Sequence, residues 1–280
     1  MVLAYATLGY SLLIGLPPLG FLVPFVIVYV GLINLGTYFL NLQVFVDVIS
    51  RGPKGARGVA LTFDDGPHPT HTREVLDLLD EAGAKATFFV VGEKAARYPE
   101  VIREIARRGH ELAGHSYTHD RFLNMRAERR IECEIADTAR VIEELTGQRT
   151  RFFRPPVGFT SPRTTVGVRA LATNVVGWTA RAYDGLSFTT AAHIVERITP
   201  RLADGAIVLL HDSPERGDRR PASVEALRGL LEAMRTRSLT AVSLSAWLPA
   251  LEAEGTLRKA LARSNATLPL AESAGHGGAS

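Results

Sequence analysis

Apolar and polar positions divide the chain into two unlike parts. From Met1 to Val46 there is no Asp, Glu, Lys, Arg or His, and most side chains are apolar. From Val59 onward, short apolar runs alternate with amphipathic stretches. The runs at 59–63, 86–91, 175–178, 206–210 and 239–242 have the length and composition of buried strands. The stretches around 71–82, 93–108, 127–146, 190–203 and 222–236 repeat apolar residues at helical spacing. Alternation of the two patterns predicts parallel βα units. Two of the runs end directly in polar residues, Asp64-Asp65 and His211-Asp212. That is expected where a parallel sheet or barrel builds a site at its carboxyl edge.

The uncharged N-terminal part predicts a membrane anchor over 1–50. As a helix, Leu19 to Leu42 would be about 36 Å long at about 1.5 Å per residue, against a hydrocarbon core of about 30 Å. Met1 to Leu16, set off by Pro17-Pro18, is short for a span and reads as a second thin span or a re-entrant arm. A cleavable signal peptide fits less well, because no Lys or Arg precedes the apolar run and the run is too long. Residues 51–57, rich in Gly and followed by Gly58, read as a linker. A catalytic domain follows over 58–250, and 251–280 reads as a helical extension and an Ala-, Gly- and Ser-rich disordered tail.

Composition narrows the function classes. The 280 residues suffice for one substantial α/β domain with appendages. Thirty-two basic and 29 acidic residues are interspersed, with no basic block, which argues against a nucleic-acid partner. The single cysteine, Cys133, excludes a disulfide framework and a thiolate metal cluster. Neither glycine-rich phosphate-loop pattern is present.

The chemistry is concentrated in a few positions. Thr62-Phe63-Asp64-Asp65-Gly66-Pro67 sets adjacent carboxylates at a strand end, where Gly-Pro turns the chain. Asp-Asp-Gly is also a common surface turn, so the pair needs partners. They appear in Gly114-His115-Ser116-Tyr117-Thr118-His119, where two imidazoles four residues apart would share a face if the segment is helical. Two His and one Asp suit a divalent ion, with zinc expected, and leave a coordination position open for water or substrate. His68 and His71 read as solvated, His276 lies in the tail, and Trp178 and Trp247 read as core aromatics, with Trp178, close to a site strand, the alternative sugar platform.

These segments resemble the polysaccharide deacetylases with a NodB homology domain, carbohydrate esterase family four, over roughly 58–250. The resemblance implies that Asp64 is the general base and Asp65 a metal ligand, with His115 and His119 completing the set. Phe153-Arg154-Pro155-Pro156-Val157-Gly158 is similar to the element whose arginine orients the base and whose next backbone amide, here that of Val157, faces the oxyanion. Val157 replaces the usual aromatic residue. Leu209-Leu210-His211 resembles the element carrying the general acid, and 176–185 the one whose aspartate, here Asp184, pairs with it. Gly185 stands where many relatives have tryptophan.

The implied fold is a deformed (β/α) barrel of about seven parallel strands, preceded by the transmembrane segment. The implied function is zinc-dependent removal of N-acetyl groups from an N-acetylhexosamine glycan: peptidoglycan, a chitin-like oligomer or an exopolysaccharide. The alternatives are a deformylase or deacylase of a lipid-linked amino sugar, and a non-catalytic glycan binder. The expected partners are the glycan and the membrane, with no obligate protein partner. The family's habit places the domain outside the cytoplasm, whereas Arg51, Lys54 and Arg57 after the span favour the reverse.

Overall fold

The computed structural model describes residues 19–184 and 189–255. The expected arm at 1–16, Gly185 and the tail with His276 lie outside the described residues. Strands β1 (Val48–Ile49), β2 (Val59–Asp64), β3 (Thr87–Val90), β4 (Glu111–Gly114), β5 (Phe152–Phe153), β6 (Asn174–Val176), β7 (Ala180–Arg181) and β8 (Ile207–His211) form one sheet, ordered β1-β6-β5-β4-β3-β2-β8-β7. A further strand, β9 (Ala241–Val242), pairs with β2 off this path. Every pairing is parallel. Among the described residues β1 and β7 do not pair, so the sheet is a half-barrel of eight strands rather than a barrel of about seven.

The alternation of side chains along β2 and β8 sorts them into two layers. Val59, Leu61 and Phe63 face an outer core shared with α2 (His71–Glu81), α4 (Pro99–Arg107) and α8 (Ala222–Thr236). Ala60 belongs to an inner cluster with Phe89, Ala113, Phe152 and Ile207, closed by Trp247 and Leu251. Because both faces are covered, all six residues of β2 are buried, and the strand reads as a continuous apolar run until its polar end. Thr62 and Asp64 continue the inner face begun by Ala60, and His211 continues that of Ile207 and Leu209.

The N-terminal part departs from expectation. Helix α1 (Leu19–Tyr38) contains Pro24 and ends four residues before Leu42. A 3-10 turn at Leu40–Leu42 follows, with Gln43 left-handed at φ 53°. Leu40, Val46 and Val48 are buried against Ile131, Phe153 and Val175, and β1 pairs with β6. The end of α1 docks on the domain, with Thr160 N donating to Thr37 O and Tyr38 meeting the Phe159 ring edge-on. Among the described residues no helix is long and apolar enough to cross a membrane. This overturns the expected transmembrane segment and the membrane-anchored localisation built on it. Part of the apolar run instead meets its hydrophobicity by packing into the domain core. Ile27, Val28 and Leu32 of α1 remain exposed.

Candidate active site

Register places the two flanks of the site side by side. Asp64, the last residue of β2, pairs with His211 at the end of β8 and with Phe89 on β3. Asp64 Oδ1 accepts from Arg154 Nη1 at 2.6 Å. Arg154 follows β5 and is 1% exposed, and each of its side-chain nitrogens donates a hydrogen bond. Nη1 reaches Thr62 Oγ1 at 2.9 Å, Nη2 the carbonyl of Gly177 at 2.9 Å and Nε that of Val176 at 3.2 Å. The guanidinium lies 4.1 Å from the centroid of the Phe89 ring. Burial lowers the Arg154 pKa, opposed by the charge and hydrogen bond of Asp64. Removing one partner of such a pair leaves a buried uncompensated charge, which costs about 3–5 kcal/mol.

Asp65 turns out of the strand in the left-handed region, φ 69°. Its Oδ1 lies 3.3 Å from His115 Nε2 and 3.1 Å from His119 Nε2. The two imidazoles do not share a helix. They converge across a loop in which Ser116 and His119 have φ of 63° and 54°. Glu134 of α5 (Glu128–Thr146) holds this loop from below, accepting from Tyr117 N and Thr118 N at 2.7 Å and Thr118 Oγ1 at 2.8 Å. His115 Nδ1 donates to the Arg154 carbonyl at 2.7 Å, which fixes the ring with Nε2 facing Asp65.

Burial acts to raise the Asp65 pKa. The hydrogen bonds of His115 and His119 and the charge of His211 overcome it and hold the carboxyl well below its ordinary value. Lys94 ties the turn to the opposite loop, donating to Asp65 O at 2.8 Å, Ser213 Oγ at 2.9 Å and Pro214 O at 2.7 Å. One carboxylate oxygen and two imidazole nitrogens, all buried or nearly so, fit a zinc-like divalent ion.

On the other flank, His211 Nδ1 donates to Asp184 Oδ1 at 2.8 Å. Asp184 Oδ2 accepts from His211 N and from Ser223 Oγ of α8. Desolvation lowers the His211 pKa, but the charge and hydrogen bond of Asp184, then Asp65 and Asp64, raise it to about 10. The neighbouring Asp212 is fully buried, and burial lifts its pKa to about 7 against the Thr72 hydrogen bond and Lys94. A Cβ on Gly66 would sit 2.5 Å from the Asp212 carboxylate, so this turn position admits only glycine.

Val157 lines the same cleft with φ 58°, a conformation rare for a β-branched residue. Of the eight non-glycine residues with positive φ among the described residues, Asp65, His119, Val157 and Tyr183 line this cleft and Ser116 lies beside His115, as strained backbone does at functional sites. The cleft has a volume of about 690 Å³ and brings together Asp64, Asp65, His115, His119, Arg154, Val157, Asp184 and His211. Trp178, read from sequence chiefly as a core aromatic near a site strand, lines it too. Lys94 and Glu134 carried no sequence signal, since each sits in an ordinary charged helix. Asp212 was visible beside His211, but nothing in the sequence marked it as buried.

Comparison with known proteins points one way. Residues 51–176 match the family model described as polysaccharide deacetylase. A peptidoglycan-N-acetylglucosamine deacetylase of Bacillus cereus is 31% identical over 69% of this chain and 69% of its own length. A chitooligosaccharide deacetylase of Sinorhizobium fredii is 32% identical over 78% of this chain and 96% of its own. Among solved structures, a family 4 acetyl xylan esterase of Clostridium thermocellum, in complex with a cobalt ion, superposes with a TM-score of 0.62. It is 35% identical and covers 70% of this chain and 91% of that one.

Proposed function

The chain belongs to the polysaccharide deacetylase family, and from that premise we propose that it hydrolyses a carbon–nitrogen bond other than a peptide bond, removing N-acetyl groups from an N-acetylglucosamine-containing glycan in a metal-dependent reaction. The observation that carries this reading is the convergence of Asp65, His115 and His119 on one point, with Asp64 on one flank and His211 on the other. The relatives from Bacillus cereus and Sinorhizobium fredii, named for peptidoglycan N-acetylglucosamine and chitooligosaccharides, support the substrate class.

Asp65, His115 and His119 would hold the ion, which supplies Lewis acidity toward water and the acyl oxygen. Asp64 takes the proton of the attacking water, its carboxylate aimed by the Arg154 fork. The backbone N–H of Val157 faces the oxyanion of the tetrahedral species, a donor typically worth about 3 kcal/mol. His211, held protonated by Asp184, delivers its proton to the departing amine.

The test is acetate and free-amine release by the whole chain from peptidoglycan and from N-acetylglucosamine oligomers. Release should stop on chelation and return with zinc. Asp64→Asn should lower kcat by about 10²–10⁴ while zinc binding persists. Turnover indifferent to chelation would remove the metal, formate in place of acetate would change the acyl group, and no release with zinc supplied would end the reading.

A further inference from the structure

One wall of the cleft has no part in this chemistry. Beside β8, β7 carries Arg181 in register with Leu209, two residues before His211. The Arg181 guanidinium lies 5.5 Å from the Trp178 ring centroid and 4.0 Å from that of Tyr183. Arg197, on α7 (Ala191–Ile198), stacks on the same Tyr183 ring at 4.9 Å. Tyr183 reaches this position only with a left-handed backbone, φ 57°, which is costly for a side chain of its size.

Two cations of the cleft differ from the others. Arg154 is matched by Asp64, Arg121 by Glu215 and Arg220 by Glu74. Among the described residues, neither Arg181 nor Arg216, which lines the same cleft from the loop after β8, forms an ion pair with a carboxylate. An exposed arginine without an acid is unremarkable on its own. An arginine held on two aromatic rings at the mouth of a cleft is different. Its side-chain freedom is already reduced, and its planar donors are positioned for an oxyanion.

Its place relative to the reaction indicates what it meets. In the proposed mechanism His211 serves the departing amine, so the strand next to His211 flanks the sugar rather than the acyl group. We propose that Arg181, supported by Arg216, forms an anion subsite that selects an acidic glycan, one bearing a carboxylate or a phosphate on the sugar being deacetylated or on its neighbour. The side assignment rests on the deacetylase reading; the unpaired cations do not.

The experiment compares three N-acetylglucosamine oligomers of equal length, one neutral, one carrying a carboxylate and one a phosphate, with the zinc-supplied whole chain. At low salt kcat/KM for at least one acidic oligomer should exceed that for the neutral one by about tenfold, and sodium chloride should erode the advantage. Preference for one acid over the other identifies the source of the charge. In Arg181→Gln the acidic-to-neutral ratio should fall toward one, with the loss in KM, and Arg216→Gln should lower it partway. Equal use of the neutral and acidic oligomers, or a ratio unmoved in a folded Arg181→Gln variant, would overturn the subsite. If no oligomer is turned over, the deacetylase reading fails, while calorimetric binding of the same three still decides. Tighter binding of an acidic oligomer that is lost in Arg181→Gln supports the subsite, and equal binding refutes it.

Discussion

At the scale of single residues, Asp184 acts through His211 in the proposed reaction. Its carboxylate accepts from both the ring and the backbone N–H of His211, and Ser223 fixes its second oxygen. Asp184 is the largest contribution raising the His211 pKa to about 10, against desolvation, which lowers it. Replacing it by asparagine keeps the shape and removes the charge, so the imidazolium loses its proton at lower pH. In Asp184→Asn the alkaline limb of the kcat profile should move toward acid by about one unit or more, with kcat falling most above the new limb. A limb that stays in place would mean that Asp184 is a structural partner only. His211 was visible in the chain at the end of an apolar run, whereas its pairing with Asp184 came from the family resemblance. The second oxygen's partner, Ser223, lies at the start of a helix and bore no mark of its role.

At the scale of elements, helix α5 does more than cover the sheet. Its Glu134 is 2% exposed and supplies the acceptors that organise the loop between His115 and His119. Glu134→Ala should therefore weaken zinc binding by about 10–100-fold in a competition titration, with helix content retained. Unchanged affinity would show that the loop holds itself. Helix boundaries followed local signals. The expected helix at 93–108 is split in two, α3 (Gly92–Arg97) and α4, because Pro99 starts a new one. The helix at Pro162–Ala170 went unseen, since it buries only Thr164, Gly167 and Val168 and shows no apolar stripe. Strands β5 and β7 are two residues long, too short for any periodicity to reveal.

At the scale of the whole molecule, packing sets the response to acid. His110, 2% exposed, accepts from Ala86 N at 3.3 Å and meets the Phe88 ring edge-on. Burial, helped by Lys85, lowers its pKa from 6.5 to about 4. The unfolded chain thus binds the proton more readily than the folded one. Stability from this residue is complete above about pH 6.5 and is lost as pH falls toward 4, by up to about 3 kcal/mol. The melting temperature should decline across that window, and His110→Gln should flatten the decline; an identical slope in the variant would remove His110 as the cause.

By itself the chain determined the alternation of strand and helix and the parallel sheet, because these are written in spacing over a few residues, and its motifs named the acids and imidazoles through their resemblance to a family. Only the tertiary structure decided that Leu40, Val46, Val48 and Ile49 belong to the domain core, that Trp178 lines the cleft, and that Glu134 and Lys94 brace the loops carrying Asp65, His115 and His119. Apolar content and charge are properties of a segment, whereas burial and hydrogen bonding are relations between segments far apart in the chain.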